Sequence, residues 1–276
     1  MDITEPDELT LHEVAEILDV HYMTAYRYVR LGILPARREG RSWRIDRSDL
    51  DEYLARDEPR TQRGEADWED RFYNRLIAAD EAGAWGVLEA ALSSGMTVPE
   101  AYPQVVSPAM KRIGEAWSAG ELDVATEHSA SEVAARIIAR LGPRLARRGV
   151  RRGTIVLGST ASELHSLPLA MATDLFRAAQ FEAIDLGAYL PPESFASYVD
   201  KTDDLVAVGV GVTTPGQEES LAETLAALRG VTAVPIVIGG GGVDEETALR
   251  LGADGWAATA DAAVELVEAL LDAADN

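Results

Sequence analysis

Two short runs carry the residues whose types and spacing suit chemistry. In the first, Trp117 is followed after nine residues by the adjacent pair Glu127-His128; in the second, Glu163 and His165 flank Leu164. These runs hold two of only four histidines in the chain. Imidazole is a good ligand for a borderline transition metal, and its second nitrogen needs an acceptor such as a carboxylate. The plainer alternatives are a histidine packed in a helical core for His128 and a loop histidine without a metal for His165. Gly120 should end one helix, and Asp123 should N-cap the next. On that helix His128 shares a face with Val124, Ser131, Ala135 and Ile138, at three- and four-residue spacing. Two of these neighbours are small, leaving room for something flat.

The elements that must position these residues follow from periodicity. From Trp68 to Leu145 the apolar pattern is helical: Phe72, Leu76 and Ile77, then Trp85, Leu88 and Leu92, then Met110, Ile113 and Trp117. The helix from Val124 to Leu141 completes a four-helix bundle, residues 68–148, with Pro99 and Pro103 flanking its short third segment. From residue 149 the period changes. Thr154–Leu157, Glu182–Leu186, Leu205–Val210, Pro235–Ile238 and Gly255–Ala258 read as short apolar strands. Helical segments alternate with them near 166–180, 192–200, 217–229, 244–251 and 261–273. That alternation predicts an α/β doubly wound, parallel, five-stranded, Rossmann-like domain over 149–276. Ligands of such sheets sit beyond the carboxyl ends of the strands. The candidates there are Ser159 to His165, Leu186 and Gly187 to Pro191, Thr213 and Thr214 through Gly216, and Gly239, Gly240, Gly241 and Gly242. Four glycines after a buried strand let a ligand lie directly on backbone. No Lys and Ser/Thr follow them, so this is not a phosphate loop.

The chain carries a net charge of −22, unevenly spread. Between Val20 and Arg47 seven arginines face two acids, a net +5. Such a stretch in an acidic protein is a footprint for phosphate backbones. It also has a motif. Thr10-Leu-His-Glu13 reads as a capping box opening a helix, and Met23 to Leu31 form a second helix ended by Gly32 and Pro35. Two extended arms around Gly40 make a basic wing, and a last helix starts near Arg47. This winged helix-turn-helix, residues 1–56, resembles the MerR and excisionase type. The likeness implies that Thr24, Tyr26, Arg27 and Arg30 face the major groove or its phosphates, with Arg41, Trp43 and Arg44 on the backbone or minor groove. Residues 57–67 are polar and form a linker. The absence of cysteine excludes disulfides, thiolate metal sites and thiol nucleophiles. The acidic N-terminus and the lack of a long apolar run lead us to expect a cytoplasmic protein.

Glu163-x-His165 after the first strand, Leu186-Gly187, the glycine run after the fourth strand and Leu251-Gly-Ala-Asp254 resemble the cobalamin-binding fold. With the Trp-x9-Glu-His bundle and the MerR-like head, the whole chain resembles the CarH/LitR-type photoreceptor repressors. That resemblance implies adenosylcobalamin as chromophore and His165 as the lower axial cobalt ligand, with Glu163 beside it. It places Trp117 and Glu127 over the adenosyl group, which His128 replaces after light. It further implies operator DNA as partner, a dark homotetramer that light dissociates, and no enzymatic activity. Two positions depart from the family pattern: Pro168 replaces a glycine, and Gly211 replaces a serine that touches the buried nucleotide base. Those departures keep open a regulator of the same build sensing haem, a bilin or a cobalamin without photochemistry. A third class, a corrinoid carrier for methyl transfer, has a similar bundle and sheet.

Overall fold

The computed structural model describes residues 8–18, 25, 26, 29, 34–39, 42–50, 67–145 and 149–274. The chain divides into two units, Met1–Ala66 and Asp67–Asn276.

In the first unit β1 (Glu8–Thr10) leads into helix α1 (Leu11–Ile17), followed by β2 (Arg37–Glu39) and β3 (Ser42–Asp46). The capping box is formed: the Thr10 N–H and hydroxyl both donate to Glu13 Oε2, and the Glu13 N–H donates to Thr10 Oγ1. The wing is an antiparallel pair of β2 and β3, and β1 adds to the other edge of β3. That third strand is not foreseen, because three residues are too few to show alternation. It is fixed by Leu9 opposite Ile45, both buried with Leu11, Val14, Leu34 and Leu50.

The second unit begins with helices α2 (Trp68–Ile77), α3 (Glu81–Ser93) and α4 (Val98–Ala101). A π-helical turn (Tyr102–Val106), α5 (Ser107–Ser118) and α6 (Val124–Leu141) follow. Asp67, Asp80, Thr97 and Asp123 cap their helices as hydrogen-bond acceptors. The third segment continues from α4 into α5 as one run, and the unforeseen feature is the π turn that widens it. Pro103 lacks an N–H and would crowd the carbonyl four residues back in a regular helix; the wider turn relieves this. Phe72, Leu76, Leu88, Tyr102, Ile113 and Ile137 fill the bundle core.

The sheet comprises β4 (Thr154–Ser159), β5 (Glu182–Asp185), β6 (Leu205–Gly211), β7 (Ile236–Gly239) and β8 (Gly255–Ala257). Its helices are α7 (Leu167–Ala178), α8 (Pro192–Val199), α9 (Glu218–Arg229), α10 (Glu245–Arg250) and α11 (Ala260–Ala274). All pairings are parallel, in the order β5-β4-β6-β7-β8. The strand order reverses beside β4, which puts the ligand crevice at the ends of β4 and β6. Helix α7 joins the two halves of the unit: Met171 and Leu175 belong to the bundle core, and Tyr102 donates to Asp174 at 2.7 Å. No helix among the described residues is long and apolar enough to cross a membrane.

Candidate functional site

The loop after β4 turns on Glu163, whose side chain is completely buried. One carboxylate oxygen, Oε1, accepts from the His165 N–H at 2.9 Å and lies 2.6 Å from His165 Nδ1. The other, Oε2, accepts from the Thr213 N–H at 2.6 Å, the Thr214 N–H at 2.8 Å and Gln217 Nε2 at 3.1 Å. Burial alone would raise the pKa of this carboxyl. The backbone N–H groups of His165, Thr214 and Thr213 and the imidazole reverse that effect and hold it at about 2. Glu163 is therefore an anion that ties the β4 loop to the loop after β6.

A carboxylate only accepts, so the proton of neutral His165 belongs on Nδ1 and the lone pair on Nε2. The ring is 59 % exposed. Thr214 Oγ1 lies 3.3 Å from Nδ1 and adds a second restraint on the ring. The result is one oriented imidazole donor at the carboxyl end of a parallel sheet, an arrangement suited to ligating a metal from one side.

The bundle repeats the device. Glu127 Oε2 lies 2.5 Å from His128 Nδ1, and Ser131 donates to Glu127 Oε1 at 2.8 Å. The His128 side chain is 73 % exposed, so it is not a core histidine. Trp117, 48 % exposed at the end of α5, and Val124 at the start of α6 are also open to solvent. Glu127 is engaged by its own neighbours, one on each oxygen, and each oxygen keeps a further lone pair to offer a ligand.

The glycine loops divide by role. A Cβ at Gly240 would lie 2.5 Å from the Val212 carbonyl oxygen, and one at Gly242 2.5 Å from that of Thr214. These two glycines let the β7 loop pack on the β6 loop. Around Gly239, Gly241 and Gly187 a Cβ would meet nothing within 4 Å, so these face open space. Leu186 packs against the sheet core, its N–H bonded to Leu157 O at 2.8 Å.

Sequence reasoning missed Gln217, and it held Thr160 and Tyr189 only as members of candidate loops, with no role for either. Thr160 donates to Gln217 Oε1 at 2.6 Å, which turns the amide nitrogen of Gln217 toward Glu163. Tyr189 holds a positive φ of 56° while its N–H donates to the Glu163 carbonyl at 2.7 Å, leaving its ring exposed on the rim. No motif marks these three; only the fold brings them to Glu163.

In the first unit Tyr26 and Trp43 are half-buried against the head core, and Arg44 lies on β3 opposite Arg37. Arg37 itself pairs with Glu8. Thr24, Arg27, Arg30 and Arg41 lie outside the described residues.

Comparison with known proteins matches the helix-turn-helix domain family at residues 8–58 and the two B12 binding domain families at residues 68–141 and 153–265. A corrinoid protein of Desulfitobacterium hafniense (strain Y51) is 27 % identical over 208 residues, covering 73 % of this chain and 96 % of that protein. Trimethylamine corrinoid protein 2 of Methanosarcina mazei is 25 % identical over 203 residues, 72 % of this chain and 93 % of that one. The solved monomethylamine corrinoid protein of Methanosarcina barkeri superposes with a TM-score of 0.62 at 18 % identity, over 73 % of this chain and 98 % of that chain, a likeness of fold. The chain joins a helix-turn-helix domain to a pair of cobalamin-binding domains.

Proposed function

We propose that this chain is a light-responsive DNA-binding transcriptional regulator, rather than an enzyme, and that its chromophore is adenosylcobalamin. The carrying observation is the matched pair of histidines. Each has Nδ1 on a carboxylate and Nε2 free, one on the β4 loop and one on the bundle. The donor set fits a cobalt corrinoid, since imidazole suits a borderline metal and the glycine rim at Gly187, Gly239 and Gly241 leaves space for a broad, flat ring. When bound, adenosylcobalamin supplies a cobalt–carbon bond that visible light breaks. His165 would hold the cobalt, oriented by Glu163 and Thr214. Trp117 would offer its exposed face to the adenosyl group, and His128 would supply a second imidazole ligand for the illuminated form. The arginine-rich head would carry the operator contact, and the loaded dark form would be a homotetramer.

The test is the absorption spectrum of protein purified with adenosylcobalamin, before and after green light. His165→Ala is expected to weaken cofactor retention or to alter the dark spectrum. His128→Ala is expected to load normally in the dark and to lose the wild-type illuminated spectrum, because one protein ligand is gone. Spectra that coincide for wild type and both variants would remove the metal-ligand assignment.

A second reading, a corrinoid carrier for methyl transfer, draws on the relatives named corrinoid proteins. The head and the bundle histidine favour the regulator, since a carrier uses neither. A methylated corrinoid form that is unaffected by light and donates its methyl group to a thiol would favour the carrier instead.

A further inference from the structure

A cobalamin brings two parts, a flat metal ring and a nucleotide tail whose base is itself a nitrogen ligand for the same metal. If His165 takes that coordination position, the base must leave it for the protein interior or for solvent. The interior space nearest the His165 loop lies where β4 and β6 end. Ser159 and Gly211 are register partners there, and α7 passes over them with Leu169. Two features would mark a slot for an inserted group. Ser159 is completely buried and its hydroxyl has no hydrogen-bond partner, and Gly211 contributes no side chain. Yet the slot is full. A single methyl at Gly211 would lie 3.0 Å from Ser159 Oγ and 3.2 Å from Leu169 Cδ2, closer than ordinary contact. Leu169 is only 4 % exposed.

The plug is also braced. Pro168 stands in the first turn of α7, where its missing N–H costs no helical hydrogen bond and its fixed φ pre-organises the turn that delivers Leu169. Thr160, fully buried and bonded to Gln217, stands next to Ser159 at the mouth of the loop. By contrast, Gly187, Gly216, Gly239 and Gly241 leave the surface of the loops clear.

Resting on the corrinoid reading above, we propose that Leu169, set by Pro168, plugs the slot between Ser159 and Gly211, so that the site selects the corrin ring and its metal and leaves the nucleotide base outside the protein. The ligand class is therefore a corrinoid recognised without its tail, and Leu169 is the specificity-determining residue.

The experiment is a dark spectrophotometric titration of the full chain with hydroxocobalamin and, separately, with diaquocobinamide, which lacks the nucleotide. Cobinamide is expected to bind at least as tightly as cobalamin, since displacing the base gains no buried contact. Leu169→Ala should shift the ratio toward cobalamin by about tenfold or more. Gly211→Ser, which adds atoms to a slot already closed, should change both affinities alike. A wild-type preference for cobalamin of more than about tenfold, reduced by Gly211→Ser, would overturn the inference even if Leu169→Ala fails to fold. Binding of neither compound would remove the corrinoid reading and this inference with it. Equal binding of both supports the two together.

Discussion

At the scale of single residues, Glu163 does more than accompany His165. Its two oxygens are shared between the imidazole side and the backbone of Thr213 and Thr214, so one buried charge sets both the ring and the loop. Glu163→Gln places an amide NH2 against donors, because its one carbonyl oxygen cannot face both groups. We expect a loss of corrinoid affinity of about 10- to 100-fold, read by absorbance titration, the range seen when the partner of a metal-binding histidine is removed. The folded carboxyl sits at about 2 against an ordinary value of 4.5. Its contribution is therefore complete above the ordinary value and is lost as pH falls from about 4.5 towards 2. The unfolding free energy from urea titrations should fall between pH 7 and pH 3 by about 2 kcal/mol more for wild type than for Glu163→Gln. An identical pH dependence would mean the charge is not stabilising. The Glu-x-His run was legible in the sequence because both partners lie two residues apart. Gln217 and Thr160 were not, since their link to Glu163 spans 54 and, through Gln217, 57 residues and exists only once β4 and β6 pair.

At the scale of elements, α7 is the connection between the sheet loop and the bundle. It begins just after His165, buries Met171 and Leu175 in the bundle core and carries Asp174 against the hydroxyl of Tyr102 in the π turn. Burial raises the pKa of both Asp174 and Tyr102. Tyr102→Phe removes the donor and leaves Asp174 buried with Arg177 as its remaining charged partner. Destabilisation of about 1–3 kcal/mol is expected at neutral pH, checked by chemical denaturation. Because a raised carboxyl is favoured in its protonated form, the loss should shrink as pH falls and Asp174 takes up its proton. A penalty that stays constant from pH 7 to pH 4 would assign it to packing alone. The strands and helices of this half were readable from short apolar runs and period 3.6 patterns within a residue or two. The π turn was not, because one extra residue in a single turn leaves the apolar spacing on either side of Pro103 unchanged in kind. The strand Glu8–Thr10 was likewise hidden by its length.

At the scale of the whole molecule, charge sets the problem that assembly must solve. The chain carries −22, while residues 20–47 carry a net +5 from seven arginines against two acids. An acidic protein is repelled by a phosphate backbone over roughly a Debye length, and a single helix-turn-helix head contacts only a few phosphates. One copy should therefore hold DNA weakly, and tight binding requires several heads on adjacent half-sites. Under the function proposed above, coupling light to DNA affinity would then reduce to coupling light to copy number. The exposed Trp117, Val124 and His128 belong to the part of the bundle that the proposed ligand exchange would alter. Light scattering should give a tetramer mass for dark, adenosylcobalamin-loaded protein and a smaller mass after illumination, with gel-shift affinity falling in step. Arg27→Ala with Arg30→Ala should abolish specific DNA binding, keep cofactor loading and leave the dark mass unchanged. If illumination lowers the mass but not the affinity, a single head suffices and the charge argument fails. If the mass is the same in dark and light, the switch does not act through assembly.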